Sequence, residues 1–232
     1  QLWTVTLADF EQVDGIMQRI SPEGVQLRGG NVIAWDQIVA LEQHAARPIQ
    51  ASEPYILFTR AGQRLLGSPL KMNAEQLTWK SSLIGEVSIP LEQVRGWGQV
   101  SSELPAGSGQ EDVVLLNNGD VIRGIIEGAG GGISLLQGNA TTEVKWDAIR
   151  AVSLAQIGQP PANNAALRLD ITDGSVLLAS AVTLEGDRLR IESAGRDYQR
   201  TIPAVQVMAI QNLAGRVRFW ASLEPSGLNY TP

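Results

Sequence analysis

Residues Val113 to Leu154 read VVLLNNGDVIRGIIEGAGGGISLLQGNATTEVKWDAIRAVSL, and the turns inside this stretch decide the fold. An apolar run ends at Asn118-Gly119-Asp120, residue types that tolerate positive φ and close hairpins. A second apolar run follows, then the glycine-rich GAGGG from Gly128 to Gly132, then a third run in which Ile133 and Leu135 alternate with their neighbours. The stretch closes on Val144, Ile149 and Val152, with Lys145-Trp146-Asp147 as a tight turn after the first of them. Period-two alternation with turn residues between the runs predicts short antiparallel strands, each with one buried and one wet face.

The same order recurs on either side. It runs from Trp3 to Leu41 (WTVTLADFEQVDGIMQRISPEGVQLRGGNVIAWDQIVAL), from Tyr55 to Trp97 and from Leu167 to Ile210. The hairpin glycine recurs as Gly62, Gly119 and Gly174, with Phe10 in its place in the first copy. A small residue follows at Gly15, Gly67, Gly124 and Ala179, spaced by roughly 55 residues as repeat units are. The closing pattern recurs as Ile33/Ile38/Leu41, Ile89/Val94/Trp97, Val144/Ile149/Val152 and Ile202/Val207/Ile210. The expectation is an all-β chain of four tandem diverged antiparallel units at 1–45, 55–100, 112–155 and 166–213, with an extension at 214–232 and no long helix. The separating stretches EQHAARPIQASEP, GQVSSELPAGSGQE and AQIGQPPANNA have linker composition. A unit of roughly 40 residues has little core of its own, so neighbouring units should pack on one another or share strands.

Composition narrows the function. The 232 residues are 44% hydrophobic, enough for a packed core, and carry a net charge of −6, which disfavours broad nucleic-acid binding. The absence of cysteine removes disulfides, thiolate catalysis and thiolate metal sites. No apolar run reaches the roughly 20 residues that span a bilayer. A first residue of Gln rather than Met fits a removed signal peptide and missing first residues equally well.

Chemistry-bearing motifs are sparse. The single histidine, His44, lies in linker-like sequence with no Ser or Asp motif around it. Trp35-Asp36 and Trp146-Asp147 echo a propeller dipeptide, but the Gly-His element and its period are missing, so each Trp is read as cross-strand packing and each Asp as turn support. GAGGG lacks the Gly-Lys-Ser/Thr ending and the following helix of a phosphate loop. Asp112, Asp120 and Asp147 form no dense calcium loop. Asn139-Ala140-Thr141 and Asn229-Tyr230-Thr231 match the glycosylation sequon by accident of composition. No catalytic residue, cofactor or metal ligand is assigned. Trp79 and Trp97 fall in the apolar phase and are expected inside. Phe219, Trp220, Tyr198 and Tyr230 are the candidate interaction surface.

LLNNGDVIRGIIEG and VKWDAIRAV resemble Sm-like small barrels: a turn-linked strand pair with a glycine after the turn, a third strand, and a closing I-x-x-x-x-I-x-x-I segment. That family's RNA-binding residues do not carry over to this acidic sequence. The whole chain, ending in AGRVRFWASLEPSGLNYTP, resembles the region that precedes the NPCBM type of carbohydrate-binding module in large secreted bacterial proteins. The matching residues are Gly215, Val217, Phe219, Ser222, Leu223, Pro225, Thr231 and Pro232. The resemblance implies an exported bacterial protein, periplasmic or extracellular, whose polypeptide continues past Pro232. A tail this apolar is a liability if left exposed, so it is expected to dock on a neighbouring unit or another chain with Phe219 or Trp220 as the anchor. The leading expectation is a non-catalytic scaffold for contacts with other protein chains or domains. Carbohydrate binding through a Trp/Tyr face is the alternative, and a hydrolase with paired carboxylates stands third.

Overall fold

The computed structural model describes residues 1–50, 52–107, 109–159, 164–194 and 199–215. Among them the chain is all-β and antiparallel, with twenty strands and four single-turn 3-10 segments. The first strands are β1 (Leu2–Leu7), β2 (Gln12–Ser21), β3 (Gly24–Leu27), β4 (Val32–Ala34) and β5 (Ile38–Gln43). Next come β6 (Tyr55–Thr59), β7 (Arg64–Met72), β8 (Gln76–Ser81), β9 (Gly85–Pro90) and β10 (Val94–Gln99). They are followed by β11 (Asp112–Leu116), β12 (Val121–Ala129), β13 (Gly132–Gln137), β14 (Ala140–Lys145) and β15 (Ile149–Ser153). The last are β16 (Leu167–Ile171), β17 (Val176–Glu185), β18 (Arg188–Ser193), β19 (Gln199–Pro203) and β20 (Val207–Asn212). The 3-10 turns Trp35–Gln37, Leu91–Gln93, Trp146–Ala148 and Ala204–Gln206 precede β5, β10, β15 and β20, where the sequence predicts a tight turn.

The chain divides into two compact units. One comprises Gln1–Arg47, Asn164–Asp170 and Leu178–Pro232; the other comprises Pro48–Asn163 and Ile171–Leu177.

In the first unit β1 lies between β2 and β5, and β2 continues onto β3 and β3 onto β4. β5 also pairs with β20, setting Leu41 opposite Ile210. The second unit repeats this wiring. β6 lies between β7 and β10, β11 lies between β12 and β15, and β10 pairs with β15 so that Trp97 faces Val152. In both ladders the last apolar position of one closing pattern meets the last of another. Each ladder is therefore a local two-fold in which like residues meet, the self-complementary geometry of an isologous contact.

The core follows the alternation. Ile38, Val94, Ile149 and Val207, the central residues of the four closing patterns, are all buried, as are Trp3, Trp79 and Trp97. Leu167, Leu169 and Ile171 point inward, and so do Leu189 and Ile191.

Two of the long second strands, β7 and β12, change partner at their small residue, and β2 does so one residue beyond Gly15. Gly124 is the last residue of β12 to pair with β11, and Ile125 is the first to pair with β13. Gly67 pairs with Tyr55 of β6, and Ser68 opens the ladder to β8. Register shifts follow at Met17/Arg19, Pro69/Lys71, Ile126/Gly128 and Ala179/Ala181. A bulge beside a residue without a bulky side chain is how a strand turns the corner between two sheets.

Candidate contact site

The hairpins that open the four strand groups share one geometry. Leu7, Thr59, Leu116 and Ile171 each donate N–H to the carbonyl four residues on. Phe10, Gly62, Gly119 and Gly174 each donate back to the carbonyl three residues earlier. This is a three-residue loop whose last residue must be left-handed. Glycine takes that role at Gly62 (φ +94°), Gly119 (φ +93°) and Gly174 (φ +92°) without steric cost. In the first hairpin the same place is held by Phe10 at φ +68°, the one non-glycine with positive φ among the described residues. The residue is 68% exposed. Asp9 fixes the turn by accepting a hydrogen bond from the Glu11 N–H at 3.0 Å, as Asn118 does for Asp120 and Asp173 for Ser175.

The second unit carries a cleft of about 360 Å³. Met72 at the end of β7, Leu91 of the 3-10 turn, Ile126 of β12 and Leu154 after β15 line it, with Ile125 and Ile157 also in its wall. Ile125 is 58% exposed and Ile157 76% exposed, so part of the apolar wall is open to water. The polar groups of the cleft are largely committed. Asp112 accepts from the Ile126 N–H at 2.8 Å through one carboxylate oxygen and from the Ala155 N–H at 2.7 Å through the other. The Arg60 guanidinium donates to the carbonyls of Glu92, Ile157 and Gly158 at 3.4, 3.3 and 2.8 Å. Glu92 also lines the cleft. A largely apolar wall with Asp112 and Arg60 held by backbone groups suits docking of an apolar side chain.

His44 is not a free linker residue. Its Nε2 lies 2.6 Å from the Thr4 hydroxyl, which donates to Asp14 at 2.6 Å. The strand register puts Thr4 beside Asp14 on β2, and the chain leaving β5 brings His44 to them, which no local motif could signal. The trio is not a nucleophile triad. In a triad the carboxylate holds the imidazole nitrogen remote from the hydroxyl, whereas here Asp14 and His44 both engage the same Thr4 oxygen.

The described tryptophans are committed to packing or to backbone hydrogen bonds. Trp97 packs its ring 6.4 Å from that of Trp146. Trp35 donates to the Ser21 carbonyl at 2.8 Å and Trp146 to the Gly130 carbonyl at 2.7 Å, so both Trp-Asp tryptophans tie down the turn between the second and third strands. In the second case that turn is the GAGGG tip. Asp36 and Asp147 each sit in the first turn of a 3-10 segment. Among the described residues no cluster of three or more His, Asp or Glu is placed to hold a metal ion, and no helix is long and apolar enough to cross a membrane. Tyr198, Phe219, Trp220 and Tyr230, the surface expected from sequence, lie outside the described residues, as does the stretch from Arg216 to Pro232.

Tyr55 donates its hydroxyl to the Trp146 carbonyl at 3.2 Å. Burial, helped by the nearby Asp147 charge, raises its pKa above the ordinary phenol value. A raised folded-state value means the neutral phenol is favoured in the native protein. The stability it contributes is full below about pH 10 and is lost as pH climbs past that value. Urea titrations of the wild type and Tyr55→Phe should therefore differ at pH 8 and converge in strong alkali; parallel profiles would refute the assignment.

These features define an all-β, antiparallel chain with an apolar cleft in one unit and a strained aromatic turn in the other. No family model, curated protein or solved structure matches it.

Proposed function

We propose that this chain is a non-catalytic, exported scaffold of four diverged five-stranded units, each a small barrel of the Sm-like kind, which mediates contacts with other protein chains. The recurring order of four strands, a 3-10 turn and a fifth strand supports the unit reading, as does the return of β5, β10 and β15 to the first strand of their own group. Export rests on the resemblance to the region preceding the NPCBM module.

The observation that carries the contact reading is the cleft around Ile125 and Ile157. Two large aliphatic side chains more than half exposed beside a cavity are costly in water and are repaid by burial against a partner. Carbohydrate binding finds less support. A sugar platform needs a flat exposed aromatic face, while among the described tryptophans Trp3, Trp79 and Trp97 are buried and Trp35 and Trp146 are tied to backbone.

A photo-reactive residue at position 125, in the protein within its native assembly, should cross-link to protein, and a further Ile157→Asp change should erase the product. Specific binding on a glycan array with no protein cross-link would overturn the reading in favour of sugar.

A further inference from the structure

We propose that the partner of the cleft is a second copy of this chain, and that Phe10 of one copy inserts into the Ile125/Ile157 cleft of the next. The inference rests on the contact reading of the cleft and adds the identity of the occupant.

The first observation is the double cost at Phe10. A left-handed backbone at a bulky aromatic is a genuine outlier, and three hairpins of identical wiring avoid it with glycine. The same residue is also 68% exposed. Glycine would remove both costs, so the ring is retained against the grain of the turn. Strain kept at one position points to use of that position. Its placement at a hairpin tip, projecting beyond the strands, is that of an anchor.

The second observation is that the same polypeptide carries a receptor for such a ring. The cleft of about 360 Å³ has room for one phenyl group, and the apolar part of its wall is aliphatic apart from the Met72 thioether, a favourable neighbour for an aromatic edge. Arg60 at the cleft donates to three carbonyls and is in none of the ion pairs among the described residues, so no carboxylate holds its guanidinium directly. It can lie over the incoming ring and attract Asp9 and Glu11, the acids flanking Phe10. Glu92 and Asp112 beside Arg60 bring the charged groups of the cleft to −1, so ring burial supplies the affinity and Arg60 supplies only orientation. Those two acids also disfavour an anionic membrane surface as the target of the anchor.

Anchor and receptor are different surfaces of one chain, so the contact is heterologous. Repeated from copy to copy it builds rings or open chains.

Sedimentation equilibrium of the full chain from about 1 μM to about 1 mM, the range expected of a single-anchor contact, tests this. The wild type should rise in mass with concentration above the 24.9 kDa monomer. Phe10→Gly should stay monomeric with a higher melting temperature, and Ile125→Asp should stay monomeric and folded, each weakening association about thirtyfold or more. Mixing the two variants restores one intact anchor and one intact cleft, so the mixture should form a heterodimer and stop there. Ile157→Asp replaces Ile125→Asp if the latter does not fold. Association that survives Phe10→Gly, or a mixture that stays monomeric while the wild type assembles, would overturn this interface. A wild type that is monomeric throughout would rule out self-pairing, while the cross-link at position 125 would still decide the broader contact reading.

Discussion

Gly124→Val is expected to cost about 3 kcal/mol or more and to lower the melting temperature by roughly 6–12 °C. A Cβ built at Gly124 would stand 2.3 Å from the Leu136 carbonyl oxygen, and that atom belongs to the backbone of β13, which cannot step aside without breaking its ladder. The cost is steric. Gly124 has no left-handed φ, so its backbone would accept another residue if the neighbouring strand were further away. Gly131→Val is the matched control, because nothing lies within 4 Å of its Cβ position. Gly15→Ala should be milder than a change at Gly124, since its close neighbours are side-chain atoms of Leu27, which can rotate. Overlapping melting curves for Gly124→Val and wild type would remove the corner from the account of the fold.

The second large effect is expected at the closing patterns. Ile149→Ala should cost about 2–5 kcal/mol, the range for deleting a fully enclosed aliphatic side chain. Ile149 is 0% exposed, follows directly on the 3-10 turn Trp146–Ala148, and pairs with Leu116. A cavity there undermines both the turn and the strand that joins β11 to β10. Urea unfolding followed by tryptophan fluorescence reports it through buried Trp79 and Trp97 in the same unit. A loss of unfolding free energy below about 1 kcal/mol would show that the site relaxes around the loss and that Ile149 is no anchor.

Much of the fold was legible because it depends on short-range rules. Period-two alternation marks strands wherever one face is wet, and it placed Leu167, Leu169, Leu189 and Ile191 correctly inside. The glycine of a three-residue hairpin advertises itself, since few residues accept its φ. The four buried residues Ile38, Val94, Ile149 and Val207 could be read from spacing alone. What escaped is what depends on long-range register. The Thr4–Asp14–His44 grouping exists only because β1 and β2 pair as they do and the chain leaves β5 at that point. Ile157 sits in sequence of linker composition, and nothing local marks it as part of a cleft wall. Phe10 stood out solely as the residue in a glycine's place. Its significance needed a backbone angle and an exposed area, neither of which a sequence contains.

The wiring of the first unit has a consequence for how the protein is made. Its strand β5 pairs with β20, so residues Gln1–Arg47, which leave the ribosome before the rest of this stretch, must wait for the segment Val207–Asn212 before that ladder closes. Throughout that delay the edge of β5 stands open, with Leu41 and Val39 among its side chains. An unpaired apolar edge of this kind recruits other strands. The residues between, Pro48–Asn163, supply nearly all of the other unit and can complete both of their own closing ladders before the C-terminal strands are translated. Synthesis thus imposes a temporal order, inner unit before outer. Slowed translation beyond residue 163 should lengthen the vulnerable interval and raise the aggregated fraction.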